Sequence, residues 1–140
     1  MEKGATAPEF GVIDLDGQSV QLGDFGGKIT VLNFWQGGCI PCLTEMPHLQ
    51  ALHEQYKNQR VRILSVNSGG SAKIIKNAIA ETGVSYEFAI DELNVASARY
   101  QIHFFPTTFV IDKKGIIREK MMGEIKQDSV ATLLDKMLKE

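Results

Sequence analysis

Cysteine is scarce in this chain: there are two, Cys39 and Cys42, in 140 residues. Two cysteines cannot build a disulfide framework, and a bridge across so short a loop adds little stability. Excess charge is missing as well. Fifteen basic against seventeen acidic side chains leave a formal net charge of −2, so the chain as a whole has no electrostatic reason to bind nucleic acid or an anionic membrane. No apolar run approaches the roughly 18 residues of a membrane span, and the chain as given is expected to be soluble. The first residues, MEKGATAPEF, lack the apolar core of a signal peptide. Repeats, linkers and low-complexity stretches are absent too, so residues 1–140 are expected to form a single domain with a sizeable core.

Metal ligands are thin. Closed zinc sites take four ligands, usually two C-x-x-C-like pairs, and here a single pair is joined by His48, His53 and His103. His48 lies about 240° around a helix from Cys42, and His53 about 16 Å along its axis. Only His103 could approach, so no metal is expected.

What the chain does have is alternation of period. ITVLNFW (29–35) is a nearly continuous β-branched and aromatic run, suited to a strand buried on both faces, and VRILSVN (61–67) is expected to make a second buried strand. A helix is expected from about Ile40 to Lys57, with Leu43, Met46, Leu49, Leu52 and Tyr56 at helical spacing. Pro41 suits its first turn, and Pro47 inside it predicts a kink. Further helices are expected at 72–81, 95–100 and 126–139, and strands at 86–91, 107–112 and 116–122. Asp112 and Gly115 bracket one hairpin turn, and Asp16-Gly17 marks another near the start. A β-α-β crossover requires parallel pairing and a hairpin antiparallel pairing. The fold class is therefore α/β: a three-layer sandwich with a mixed central sheet and helices on both faces.

Cys39 stands between a buried strand and the start of a helix. Unpaired N–H groups and the positive end of the helix dipole favour a thiolate there, and the thiolate is the nucleophile of disulfide exchange. Cys42, one turn in and more covered, can attack back. Far along the chain, FFPTTF (104–109) puts Pro106 at the entry to a strand, where either an ordinary trans bond or a cis peptide is possible.

Together, W-x-x-x-C-x-P-C after a buried strand, a helix with an internal proline, and F-P-T-T-F-V-I-D resemble the thioredoxin superfamily. Within it the chain is similar to the TlpA/ResA-like thiol-disulfide oxidoreductases, from about Ala7 to Leu138. APEFGVIDLDGQSVQLGDFGGKITVLNFW resembles that group's N-terminal β-hairpin and first core strand, and SAKIIKNAIAETGVSYEFAIDE its central α/β insertion. The resemblance implies Cys39 as nucleophile and Cys42 as resolving thiol. It implies that Pro106 lies in a cis-proline loop facing the disulfide, that the Phe105 backbone pairs with an extended substrate, and that Trp35 packs beside the cysteines at the substrate site. Phe104 and Phe105 are expected to offer apolar surface there, with one of the two in the core. No cofactor beyond the redox-active Cys39–Cys42 disulfide is implied.

The implied partners are proteins carrying disulfides and a membrane thiol-disulfide electron donor, with the chain itself a monomer. The implied place is extracytoplasmic, periplasmic or membrane-tethered, with a leader absent from this chain, and the implied role includes cytochrome c maturation. Two rivals stand beside this reading. A peroxiredoxin-type peroxidase needs P-x-x-x-T-x-x-C, and Gln36 stands where its threonine would be. A Cu(I)-binding module would use the thiols without exchange chemistry.

Departures from the family pattern carry expectations of their own. Asn33 stands where thioredoxins have a buried Asp, and Gly70 where some relatives place a Glu after V-N-x-G. Glu45, three residues past Cys42 on the helix, is a candidate substitute for the missing acid, but the expectation is an exposed or helix-start charge, with solvent taking the Cys42 proton. Gly37-Gly38 replaces a bulky residue before Cys39, either to expose its sulfur or to allow a positive φ.

Overall fold

β-Branched and aromatic residues dominate the middle of the chain, and in the computed structural model their runs pair into one sheet. The structure describes residues 1–140, the side chain of Phe25 excepted. Among the described residues the elements run β1 (Gly11–Asp14), β2 (Ser19–Gln21), a 3-10 turn (Leu22–Phe25), β3 (Ile29–Trp35), α1 (Ile40–Tyr56) and β4 (Val61–Ser68). There follow α2 (Ala72–Thr82), β5 (Glu87–Asp91), α3 (Val95–Arg99), β6 (Thr107–Ile111), β7 (Ile117–Met122) and α4 (Gln127–Leu138). Each expected element is present, with ends shifted by a residue or so.

The strands lie in the order β2-β1-β5-β4-β3-β6-β7. β3, β4 and β5 are mutually parallel, while β6 runs antiparallel to β3 and β7 to β6. The expected central insertion thus supplies β5, which separates the N-terminal hairpin from β4 and pairs antiparallel with β1. That placement could not be read from local pattern.

Alternation along β3 divides the core in two. Val31 and Trp35 face α1, α2 and α4 with Leu49, Leu52, Ile63, Ile75 and Leu134. Leu32 and Phe34 face the other side with Phe10, Val66, Ala96, Tyr100 and Phe109. Three long helices therefore cover one face, and short α3 with the N-terminal segment covers the other.

Local chemistry sets the joints. Ser71 Oγ accepts the Ile74 N–H at 3.3 Å to start α2, and Gly83, at φ +74, ends it by donating its N–H to Ile79 O. At the two hairpins the anchoring residue is the aspartate that opens the turn. Asp14 Oδ1 accepts from the N–H groups of Asp16 and Gln18, and Asp112 Oδ1 from those of Lys114 and Ile116. Asp16, half of the expected two-residue turn, is not that anchor.

Candidate active site

The strand registers gather three connections at one end of the sheet. β3 and β4 end together, with Trp35 opposite Asn67, and antiparallel β6 begins where β3 ends, with Thr107 opposite Phe34. The chain leaving β3 (36–39), the turn after β4 (69–71) and the approach to β6 (104–106) therefore share that end, where the parallel strands open a crevice.

Cys39 occupies the N-cap of α1 with extended backbone, φ −89° and ψ 106°. Its Sγ accepts the backbone N–H of Cys42 at 3.3 Å, which uses one of the unpaired donors of the helix start. Pro41, in the first turn, needs no acceptor. The two cysteines are joined as a disulfide with their Cα atoms 5.3 Å apart. Cys42 is buried at 1% exposure, whereas Cys39 is only partly covered. When the pair is reduced, the N–H that meets Cys39 Sγ stabilises a thiolate on the accessible sulfur.

The two preceding glycines answer to different constraints. Gly38 has φ +76° and open space where a Cβ would stand, so the positive-φ meaning holds there. Gly37 has no such φ, but a Cβ there would come within 2.9 Å of Ile74 Cγ2, so its smallness lets the loop lie against α2.

Glu45 overturns an expectation. It is not an exposed or helix-start charge but fully buried, at 0% exposure, on the same face of α1 as Cys42, Met46 and Leu49. Asn33 Nδ2 donates to Glu45 Oε1 at 2.6 Å and to Thr108 Oγ1 at 3.0 Å. Ser65 Oγ donates to Asn33 Oδ1 at 2.9 Å, and the Ile125 N–H donates to Glu45 Oε2 at 3.0 Å. Burial lifts the Glu45 carboxyl from 4.5 to about 7, against the lowering pull of the Ile125 and Asn33 hydrogen bonds. Three residues apart on a helix, Glu45 and Cys42 are neighbours. A carboxyl poised near neutrality thus lies beside the buried thiol position, and a proton acceptor other than solvent is at hand. The available signal was its place on the buried stripe of α1, three after Cys42 and four before Leu49.

A second feature explains why no acid stands after β4. Asn67 Oδ1 accepts the Ser71 N–H at 3.2 Å, and a Cβ at Gly70 would fall 1.3 Å from that oxygen. The Asn67 amide fills the space that any side chain at 70 would need.

The Phe105–Pro106 peptide is cis. Pro106 O accepts the Gly123 N–H at 2.8 Å, and Phe104 O accepts Thr107 Oγ1 at 2.7 Å. Among the described residues no hydrogen bond engages the N–H or C=O of Phe105, which leaves both for an extended partner. Phe105 is half-buried against the cores, and Phe104 is 54% exposed. Trp35 lies in the same core cluster as Cys42. At 1% exposure it packs edge-on to Phe88, 5.9 Å between ring centroids, and backs a cleft between Gly37-Gly38 and Ile74. Exposed His48 bonds to Gln127 through Nδ1 at 3.0 Å, and among the described residues no group of three or more His, Cys, Asp or Glu is placed to hold a metal ion.

Comparison with known proteins agrees with this geometry. Residues 3–120 match the AhpC/TSA family. The thiol-disulfide oxidoreductase ResA of Bacillus cereus is 34% identical over 137 residues, spanning 98% of this chain and 79% of that protein. A thiol:disulfide interchange protein from Bacteroides sp. superposes with a TM-score of 0.86 at 29% identity, covering 100% of this chain and 92% of that one. The thioredoxin domain of a thiol-disulfide oxidoreductase from Bacteroides vulgatus gives 0.85 at 28%, over 99% of each.

Proposed function

The chain belongs to the AhpC/TSA family of thioredoxin-fold proteins, and on that premise we propose that it is a protein thiol-disulfide oxidoreductase that works as a reductant. The observation that carries this reading is Cys39 at the N-cap of α1, its sulfur on the Cys42 N–H and Cys42 buried behind it. In the reduced protein the Cys39 thiolate attacks one sulfur of a substrate disulfide. A mixed disulfide forms and one substrate thiolate leaves. Cys42 then passes its proton to the Glu45 carboxylate and attacks Cys39 Sγ. This closes the intramolecular disulfide and releases the second substrate thiolate, so two electrons have moved to the substrate.

The substrate is a protein segment that lies extended along the free backbone of Phe105, beside exposed Phe104. Backbone pairing of that kind asks for little sequence. The disulfide must be reduced again between turnovers. As parts of the same reading, the donor is a membrane thiol-disulfide protein, the place of work is extracytoplasmic, the protein acts as a monomer and its service includes cytochrome c maturation. No described helix is long and apolar enough to cross a membrane.

Reduction of insulin disulfides in the presence of dithiothreitol tests the activity. Wild type accelerates it and Cys39→Ser does not; equal rates would refute the role of Cys39. The Cys42→Ser variant holds mixed disulfides on Cys39, and the captured proteins identify the substrates.

A further inference from the structure

Two ties hold α4 against α1. At the far end Tyr56 Oη donates to Asp135 Oδ1 at 2.7 Å, near Ala131 O at 3.0 Å, and Val130, Leu134 and Met137 sit in the core. At the near end stands one side-chain bond, His48 Nδ1 to Gln127 Oε1 at 3.0 Å. Immediately before Gln127, residues 123–126 cross over the buried carboxyl. Gly123 is tied to Pro106 O, and the buried Ile125 places its N–H on Glu45 Oε2 at 3.0 Å.

We propose that the His48–Gln127 hydrogen bond is a latch that keeps this loop closed over Glu45, which makes His48 and Gln127 positioning residues for the resolving half of the site. The proposal rests on the oxidoreductase reading for its purpose. A proton taken from Cys42 by the Glu45 carboxylate leaves by one of two routes, back to the Cys42 thiolate when the disulfide is reduced again or out to water in between. With the loop closed, the carboxyl meets Asn33 and Ile125 and is sealed from solvent. Opening the loop supplies the exit, and the latch sets how often it opens.

The charged and titratable groups around Glu45 are His48 and Cys42 on its own helix, Glu124 on the loop, and the Tyr86 hydroxyl from the segment entering β5. Gln127→Ala changes none of these charges. Losing one such hydrogen bond changes an opening equilibrium about fivefold. Burial is the largest influence that raises the Glu45 carboxyl, so water entry lowers its titration midpoint, by linkage at most the logarithm of that factor, about 0.7 pH unit.

The test uses the oxidised protein, in which neither cysteine titrates. Amide exchange is followed at Ile125 and Leu134, and the Glu45 carboxyl is titrated by its carbon-13 chemical shift. In Gln127→Ala, Ile125 is expected to exchange about fivefold faster with Leu134 unchanged, and the Glu45 midpoint to fall. His48→Leu should also speed Ile125 exchange, and His48→Asn, which keeps a donor near the Nδ1 position, should behave like wild type. An unmoved Ile125 amide in Gln127→Ala would overturn the latch. So would equal acceleration at Leu134, or a His48→Asn as perturbed as His48→Leu. None of these readouts needs activity, so failure of the oxidoreductase reading in the insulin assay is seen separately.

Discussion

Replacing Glu45 with glutamine should change how the fold responds to pH, and the structure sets the size of the change. Burial raises the folded-state carboxyl from 4.5 to about 7. Between those values the folded chain holds a proton that the unfolded chain has released, so protonation favours the fold. The stabilisation is fully present below about pH 4.5 and is lost as the pH rises through about 7. That interval corresponds to about 3 kcal/mol. Glu45→Gln keeps the shape and cannot ionise. Relative to the protonated wild type it loses about 1 kcal/mol, because the Nε2 that replaces one carboxyl oxygen cannot accept the hydrogen bond that Asn33 Nδ2 or the Ile125 N–H makes there. The assay is urea unfolding of the oxidised protein at several pH values from about 4.5 to about 8. Other titrating groups contribute alike to both proteins, so the difference between the two pH profiles isolates position 45. Wild type should lose about 3 kcal/mol more than the variant over the interval. At about pH 8 the variant should be the more stable protein. Parallel profiles would refute the burial argument, because a hydrated Glu45 contributes no such slope.

Three further substitutions probe the surroundings. Gly70→Ala should cost about 1–3 kcal/mol, since its Cβ displaces the Asn67 amide from Ser71. Adding Asn67→Ala should recover part of that loss, and strict additivity in thermal unfolding would count against the clash. Gly38→Trp should slow alkylation of reduced Cys39 by iodoacetamide and cost about 1–2 kcal/mol because of the positive φ; an unchanged alkylation rate would mean the glycine serves only the turn. Phe104→Ser should lower kcat/KM for insulin about fivefold, a loss near 1 kcal/mol of apolar contact, with reaction toward glutathione disulfide little changed. An equal loss with both substrates would place Phe104 in the fold rather than in substrate contact.

Much of the molecule was legible one segment at a time. β3 and β4 are rich in apolar and β-branched residues because both faces of a central strand are covered, and α1 follows a cysteine at its N-cap with a proline in its first turn because those residues suit a helix start. Such preferences act over a few residues and survive into the fold. The position of β5 was not legible in this way, because nothing local says whether an inserted strand joins an edge or separates two others. Trp35 illustrates the same limit. Its place beside the cysteines followed from the motif, but its burial against Phe88 depended on a strand far along the chain.

By itself, then, the sequence determined the order of elements, the mixed sheet and the redox pair at a helix N-terminus. Only the tertiary structure decided what surrounds that pair. Glu45 looked like a surface charge because carboxylates in a helix usually face water. Asn33 on β3, Thr108 on β6 and the Ile125 amide before α4 come together around it, and burial among partners distant in the chain is what raises its proton affinity. Gly70 looked like a lost acid until the Asn67 side chain was found in its space. The physical reason is the same in both cases: capping and periodicity are local, whereas desolvation and close packing belong to groups that meet only when the chain has folded.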